Sequence, residues 1–229
     1  MLYQTAKNTG TGASGTSISV GPIVPLRPNS YAVVACSYFS SIAAYGGWTT
    51  PGGQGTILTQ QFAGQPSINN NAVITYTDSL NDEWAAVMAV YQTNGTPVWN
   101  ELTSGGGSAF FYPSSTPHVV AVNQNDTIFV WAGVGTFLPS GQNGGDPGIT
   151  VSDSDNNQYT FVKAVSGFPH NNVSYLFTAF NVNANPALNI TVTGDSLDPP
   201  PTGPTGWSIA AVTNILPLPT ELSFGSVML

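Results

Sequence analysis

The two histidines and the single cysteine are the residues of this 229-residue chain whose chemistry would be most specific. His118 and His170 each follow a proline, and neither has a carboxylate or a thiol beside it in the sequence. Cys36 belongs to the apolar run that starts at Tyr31, so we expect a buried thiol with no disulfide partner in the chain. A zinc site needs three or four convergent ligands. These residues therefore predict no metal site.

No motif for catalysis is recognisable. The chain has no GxSxG segment, and neither histidine stands in the context of a Ser-His-Asp triad. The 11 acidic residues could include a glycosidase pair, but none of them lies in a distinctive run. We therefore expect a protein that is not an enzyme and that has no cofactor.

The acidic segment at residues 146–157, DPGITVSDSDNN, is the one candidate for calcium binding. Asp146, Asp153 and Asp155 could supply oxygen ligands of the kind that calcium prefers. The segment lacks the central glycine and the closing glutamate of an EF-hand loop. The alternative is a strand that ends in a β-turn, where Asp and Asn side chains accept hydrogen bonds from backbone amides. The sequence is compatible with both interpretations.

Four sequons permit N-glycosylation of a surface asparagine, at Asn94, Asn125, Asn172 and Asn189.

Aromatic side chains in Gly- and Pro-rich stretches are further candidates for binding. We predict that one group contacts a partner protein: Trp99, Phe110, Phe111 and Tyr112. A sugar-stacking role is the alternative for Tyr45, Trp48 and Trp99. Trp84 and Trp207 each open an apolar run, so we expect both in the core.

The composition excludes two classes of partner. Only three residues are basic, the net charge is -8, and 6% of the residues are charged. So few cations cannot neutralise a phosphate backbone or anionic lipid head groups, so we expect no nucleic acid and no membrane insertion.

With 41% hydrophobic residues the chain can still fold. A surface made mostly of hydroxyl and amide groups, with few ionised side chains, suggests an extracellular setting that is hot and acidic. The chain shows no secretion signal, so we expect a signal already removed or release by cell lysis.

Short apolar runs separated by Gly, Pro, Asn and Asp clusters predict an all-β fold. The 18 prolines and 25 glycines would break most helices, and only 82–91 carries moderate helix propensity. The predicted strands are 30–39, 55–62, 71–77, 83–91, 118–122, 127–134, 159–165, 173–180, 188–193 and 207–215.

The two halves of the chain resemble each other. The runs from Asn29, Thr56, Asn70 and Trp84 match, in order, those from Asn125, Tyr159, Asn171 and Trp207. This repeat predicts two tandem β-sandwich domains with jelly-roll or immunoglobulin-like Greek-key topology. The predicted domains are residues 1–102 and 116–229, the second with a short C-terminal tail. A Gly/Ser-rich and aromatic linker at 103–115 would join them.

The second half resembles a β-sandwich module that occurs in phage, archaeal-virus and microbial surface proteins. Asp153, Asn157, Tyr159 and Thr160 carry the resemblance, which covers residues 118–216 and more faintly 20–92. Asn156 stands where the module usually has glycine. The resemblance implies a scaffold and no particular activity.

Two such modules in tandem, with few charges, resemble the turret or spike proteins at the capsid vertices of archaeal icosahedral viruses. The resemblance implies a structural protein on the virion surface that binds itself and other capsid proteins, with host surface glycans as a further partner. One alternative is an extracellular archaeal filament or surface layer built by strand donation, with Thr9–Val20 and Glu221–Leu229 as candidate donors. The other is a carbohydrate-binding adhesin module.

Overall fold

The computed structural model describes the backbone of residues 4–12, 17–23, 29–37, 42–44, 57–62, 70–76, 82–107, 116–134, 149–166, 173–193 and 205–217. Side chains are described for residues 29–35, 87–105, 117–133, 149–162, 174–193 and 206–217. Fifteen strands and no helix occur in these ranges: β1 (Gln4–Gly12), β2 (Ser17–Ile23), β3 (Ser30–Ser37), β4 (Ile42–Ala44), β5 (Ile57–Phe62), β6 (Asn70–Tyr76), β7 (Asp82–Gln92), β8 (Trp99–Gly107), β9 (Thr116–Val122), β10 (Thr127–Val134), β11 (Thr150–Asp153), β12 (Thr160–Ser166), β13 (Val173–Ala179), β14 (Asn185–Thr193) and β15 (Thr205–Val212).

The predicted all-β class is confirmed, and each of the ten predicted strands overlaps an observed one. The segment with helix propensity is the strand β7, which pairs with β1 and β3, and its residues 87–91 are buried. The sequence did not predict β1, β2, β4, β8 and β11; β1 is polar, β8 is glycine-rich, β4 and β11 are short, and β2 contains a Gly-Pro pair.

The strands form four antiparallel sheets. Sheet I has the order β2-β6-β4, and sheet II has the order β1-β7-β3-β5. Sheet III has the order β12-β13-β10-β15-β8, and sheet IV has the order β11-β14-β9. The strands β1–β7 therefore make the first two sheets, and β8–β15 make the other two.

Sheet III is covered on both faces. Side chains of β10 alternate, so that Ile128 and Val130 pack against sheet IV whereas Phe129 and Trp131 pack against sheet II. A strand buried on both faces needs an unbroken apolar run, and residues 128–132 provide one. Two apolar cores result, one between sheets III and IV and one between sheets II and III.

The strand order is nested and is the same in both sheet pairs. The first and last strands are neighbours (β1 with β7, β8 with β15), and so are the second and next-to-last (β2 with β6, β9 with β14). The strands β3 and β5 then correspond to β10 and β13. Two matches between the halves were therefore wrong. The run from Thr56 forms β5, which is equivalent to β13, whereas the run from Tyr159 forms β12. The run from Asn70 forms β6, which is equivalent to β14, whereas the run from Asn171 forms β13.

Residues 103–107, predicted as the start of a flexible linker, form the second half of β8 and pair with β15. Gly105 in this segment and Gly206 of β15 have a packing role. A Cβ atom on Gly105 would lie 2.9 Å from Cζ2 of Trp207, and one on Gly206 would lie 3.0 Å from Cη2 of Trp131. Two indole rings thus occupy the space where side chains would stand, and composition alone cannot distinguish this from a linker.

Candidate binding surfaces

The contact between sheets II and III is held by buried polar groups as well as by apolar ones. Trp131 Nε1 donates to Ser174 Oγ at 2.9 Å, and this hydroxyl donates in turn to the carbonyl of Ala35 at 3.2 Å. Tyr91 and Thr178 share a hydrogen bond of 2.9 Å between their hydroxyls. All of these groups are neutral. Among the residues whose side chains are described, the polar contacts between the two sheets are therefore made by uncharged groups.

Asp153, at the end of β11, organises the turn that leads to β12. Its Oδ1 accepts hydrogen bonds from the backbone amides of Asp155 and Asn157, both at 3.0 Å. Its Oδ2 accepts from Asn157 Nδ2 and from the Tyr159 hydroxyl, both at 2.9 Å. This is the capped turn that the sequence offered as the alternative to a calcium site.

Neighbouring groups complete the turn. Asn185 Nδ2 donates to both carboxylate oxygens of Asp155, at 2.9 and 3.0 Å. Burial, together with the carboxylates of Asp153 and Asp155, raises the pKa of Tyr159 above its ordinary value, so the phenol stays protonated and remains a donor. Within the described ranges no three His, Cys, Asp or Glu side chains converge as a metal site would need. Asp146 lies outside the described residues, and calcium binding stays a prediction.

An aromatic cleft of about 360 Å³ opens between the edge of sheet III and the edge of sheet IV. Phe161 of β12 is its most exposed ring, with 51% of its surface accessible. The Phe161 ring lies 5.4 Å from the Phe177 ring, and Phe177 in turn is stacked with Tyr175 at 6.3 Å between centroids. The lining residues are Ile149, Thr150, Val151, Tyr159, Phe161, Tyr175 and Phe177.

A second pocket, of about 450 Å³, has a wall of amide side chains. It lies where the β7–β8, β9–β10 and β13–β14 turns meet the segment after β15. Its polar lining is Asn94, Gln124, Asn125, Asp126, Asn181, Thr213 and Asn214, and Ile215, Leu216 and Pro217 form the rest.

The backbone of this amide pocket is held in place by several turns. Asn125, Asn181 and Asn214 adopt left-handed conformations with φ of 67°, 52° and 61°, which asparagine tolerates better than most residues. Backbone hydrogen bonds connect the turns, among them Asn125 N to Val182 O at 2.8 Å. Within the described part of the chain, the side-chain amides of Asn94 and Asn181 form no hydrogen bond.

His118 points into the core between sheets III and IV, with its ring 4.0 Å from the Trp207 ring. Burial lowers the pKa of His118, because the charged imidazolium would lose hydration there. Trp207 is buried, as predicted. His170 and the side chains of Cys36 and Trp84 lie outside the described residues.

Trp99, predicted as an interface residue, packs on the core between sheets II and III and stacks with Phe129 at 5.9 Å between centroids. It is only partly buried there, so a role in a contact with another protein stays a prediction. Phe110, Phe111, Tyr112, Tyr45 and Trp48 lie outside the described residues.

The sequons occupy different environments. Asn94 and Asn125 are exposed in turns, and both line the amide pocket. Asn189 is partly buried in β14, the central strand of sheet IV, and its Oδ1 is buried without a hydrogen-bond partner among the described residues. The side chain of Asn172 lies outside the described residues. Glycosylation stays a prediction at all four.

The aromatic cleft and the amide pocket were both missed by sequence reasoning. The turn residues Asn125 and Asn214 are separated by 89 positions, and no local pattern brings them together. Phe161 was visible in the sequence as an aromatic residue of a predicted strand, but such a residue is more often buried in the core than exposed in a cleft.

No family model, no curated protein and no solved structure matches the chain. No helix in the described ranges is long and apolar enough to cross a membrane.

Proposed function

We propose that this chain is a non-enzymatic structural protein of a virion surface, a turret or spike at a capsid vertex. It consists of two tandem jelly-roll domains, assembles through contacts with copies of itself and with other capsid proteins, and projects one domain toward the host.

The nested strand order is the observation that carries this proposal. In a jelly roll, a long antiparallel hairpin is wrapped into two sheets, so that outer strands pair with outer and inner with inner. The pairs β8–β15, β9–β14 and β10–β13 follow this rule, and so do β1–β7, β2–β6 and β3–β5. Viral capsid proteins are one of the classes in which this architecture is common.

The uncharged hydrogen bonds described between sheets II and III support the same proposal. A spike must hold its domains in a fixed relation outside the cell, across changes of pH. Ser174, Trp131 and Thr178 make that contact with uncharged hydrogen bonds, which lose nothing when carboxylates are protonated.

The assembly state of the purified chain tests this proposal. Light scattering and negative-stain electron microscopy at pH 3 and pH 7 should give closed rings of one mass at both values, because a closed symmetric interface limits growth. Open filaments at both pH values would instead support a filament or surface-layer subunit. A chain that stays monomeric up to millimolar concentration would contradict self-assembly.

A second candidate function, a carbohydrate-binding adhesin, is supported by the amide pocket. Asn94 and Asn181 each present a donor and an acceptor that no described residue uses, which suits a neutral ligand rich in hydroxyls. A panel of neutral oligosaccharides tested by saturation-transfer NMR should identify a binder. The double variant Asn94→Ala/Asn181→Ala should lose the signal, whereas Asn157→Ala, an amide in a different turn, should keep it. Signals unchanged by the double variant would exclude this pocket.

A further inference from the structure

We infer that the aromatic cleft beside β11 is an acceptor groove for an extended strand of a second copy of this chain, and that the donor is the C-terminal segment Glu221–Leu229. The inference rests on the self-association in the proposed function and names the interface that produces it.

The groove exists because sheets III and IV contain different numbers of strands. Sheet III has five strands and sheet IV has three, because β12 pairs with β13 at the edge of sheet III and not with β11. Full nesting would instead place β12 beside β11, as the innermost pair. Among the described strands, β11 therefore has a partner on one side only.

The backbone of β11 offers hydrogen bonds on its outer side. Ser154 N donates to the carbonyl of Asn189 in β14 at 3.0 Å. Since the residues of an antiparallel strand face their partner alternately, Ser152 and Thr150 also face β14, whereas Val151 and Asp153 direct their backbone amides outward. A strand edge that is unpaired among the described strands is a template for an added strand. It favours a peptide over a sugar or a lipid, which cannot match its spacing.

The space beside β11 suits a large apolar side chain. A fourth strand in sheet IV would lie over β12 and cover Phe161, whose ring is 51% exposed. The cleft of about 360 Å³ already has Phe177 and Tyr175 as its floor. Backbone pairing would supply affinity, and the cleft would select the side chains, as in known cases of strand addition.

Residues 221–229, ELSFGSVML, have the matching pattern. Leu222 and Phe224 alternate with Ser223 and Gly225, so a strand there would place two large apolar side chains on one face. Glu221 is the only charged residue of the segment. The other predicted donor, Thr9–Val20, is engaged elsewhere, since β1 pairs with β7 and β2 pairs with β6 in its own chain.

The first experiment measures the groove directly. A fluorescent peptide of residues 221–229 is titrated with the full chain carrying Phe224→Ser, which weakens its own tail as a competitor. We expect saturable binding, at least about tenfold weaker when Phe161→Ser is added and restored by Phe161→Leu. Val119→Ser is the matched control, because Val119 is exposed on β9 at the opposite edge of sheet IV. Of the two peptides N-methylated at alternate residues, one for each set of alternate positions, one should not bind and the other should, because only every second backbone amide would face β11.

The second experiment tests whether the donor comes from another copy. Full chains carrying Phe161→Ser (damaged groove) or Phe224→Ser (damaged donor) should each be monomeric in light scattering, and their equimolar mixture should form a 1:1 dimer through the one intact groove and the one intact donor. A mixture that stays monomeric although the peptide binds would place the tail in its own groove and overturn the inference.

Other results separate the inference from the proposed function. If both single variants assemble as well as the native chain, self-association uses another surface, and the inference fails while the proposed function stands. If the native chain never assembles, the proposed function fails with it. Peptide binding that is absent, or that is unchanged by Phe161→Ser, overturns the acceptor groove. Thermal unfolding of each variant confirms that the compared chains are folded.

Discussion

At the scale of single residues, Asp153 holds the turn between β11 and β12 in place through its hydrogen bonds. One partly buried carboxylate accepts four hydrogen bonds and fixes the path from β11 to β12. Replacing it leaves two backbone amides, the side-chain amide of Asn157 and the Tyr159 phenol without their acceptor. We expect Asp153→Ala to lower the free energy of unfolding by about 1–3 kcal/mol, as measured by urea denaturation.

Asp155→Ala is the control for this prediction. Asp155 is exposed and receives its hydrogen bonds mainly from one side chain, Asn185, so its loss should cost less than that of Asp153. Equal losses would mean that the four bonds to Asp153 do not organise the turn. Calcium added to the native chain provides a further comparison, because a bound ion would raise the melting temperature.

His118 gives the fold a pH dependence whose sign follows from its burial. The pKa of His118 is lowered in the folded state, so the unfolded chain binds the proton more readily. The neutral His118 ring therefore contributes fully to the free energy of unfolding when the pH is above about 6.5, the pKa of a histidine in the unfolded chain. This contribution is lost as the pH falls toward the lower pKa of His118 in the folded chain. We expect a lower melting temperature at pH 5 than at pH 8, and a smaller difference in His118→Gln.

His170 is present in both chains and cancels in this comparison. The same difference in the native chain and in His118→Gln would assign the pH dependence to other groups. Glutamine is the appropriate replacement because it is neutral and polar, so that packing against Trp207 changes little while the titration is removed.

At the scale of strands, the glycines of β8 show where composition misleads. Alanine has a higher strand propensity than glycine, so Gly105→Ala would stabilise an isolated strand. Here the added Cβ would meet the Trp207 ring at 2.9 Å, closer than side chains pack. We expect Gly105→Ala to destabilise the fold by about 1–3 kcal/mol in urea denaturation.

Gly95→Ala is the comparison for this effect. The atoms nearest to its Cβ would belong to the side chain of Asn214, at 3.2 Å and beyond, so the approach is less close than the 2.9 Å at Gly105, and Gly95 lies in an exposed turn. A smaller loss is expected there. If Gly105→Ala were neutral, the glycine run would be explained by flexibility and not by the indole packed on it.

The strands also show what could and what could not be predicted from the sequence. Apolar runs such as residues 127–134 have to be buried, so their strands were predictable from composition and spacing alone. The strand β11 was not, since TVSD has four residues and only one of them is apolar. The exposure of Phe161 was beyond prediction, because it depends on how many strands each sheet contains and on which sheet includes β12.

The amide pocket could not be predicted from the sequence, for a related reason. Asn94, Asn125 and Asn181 lie between predicted strands, as in ordinary turns, whereas Asn214 lies inside the predicted strand 207–215. Their convergence depends on the nested order of the strands, which brings the turns after β7, β9, β13 and β15 to one end of the fold. That order is set by long-range pairing and not by local propensity.

At the scale of the whole molecule, the core between sheets II and III determines how the chain unfolds. Leu176 of β13 is fully buried there, among Val33 of β3 and Val87 of β7. Two jelly rolls joined by a flexible linker would unfold independently, whereas sheets that share an apolar core stabilise each other. We therefore expect one calorimetric transition for the native chain, with equal calorimetric and van't Hoff enthalpies.

Leu176→Ala tests this coupling. The cavity should lower the free energy of unfolding by about 2–5 kcal/mol, and the single transition should move as a whole, because the strands on both sides of the cavity lose contacts. Leu188→Ala is the matched control, since Leu188 is equally buried but lies in the core between sheets III and IV. If Leu176→Ala instead split the transition into two, with β1–β7 melting at the native temperature, the sheet pairs would be separate cooperative units. A fixed relation between them, on which the proposed spike depends, would then need a partner protein.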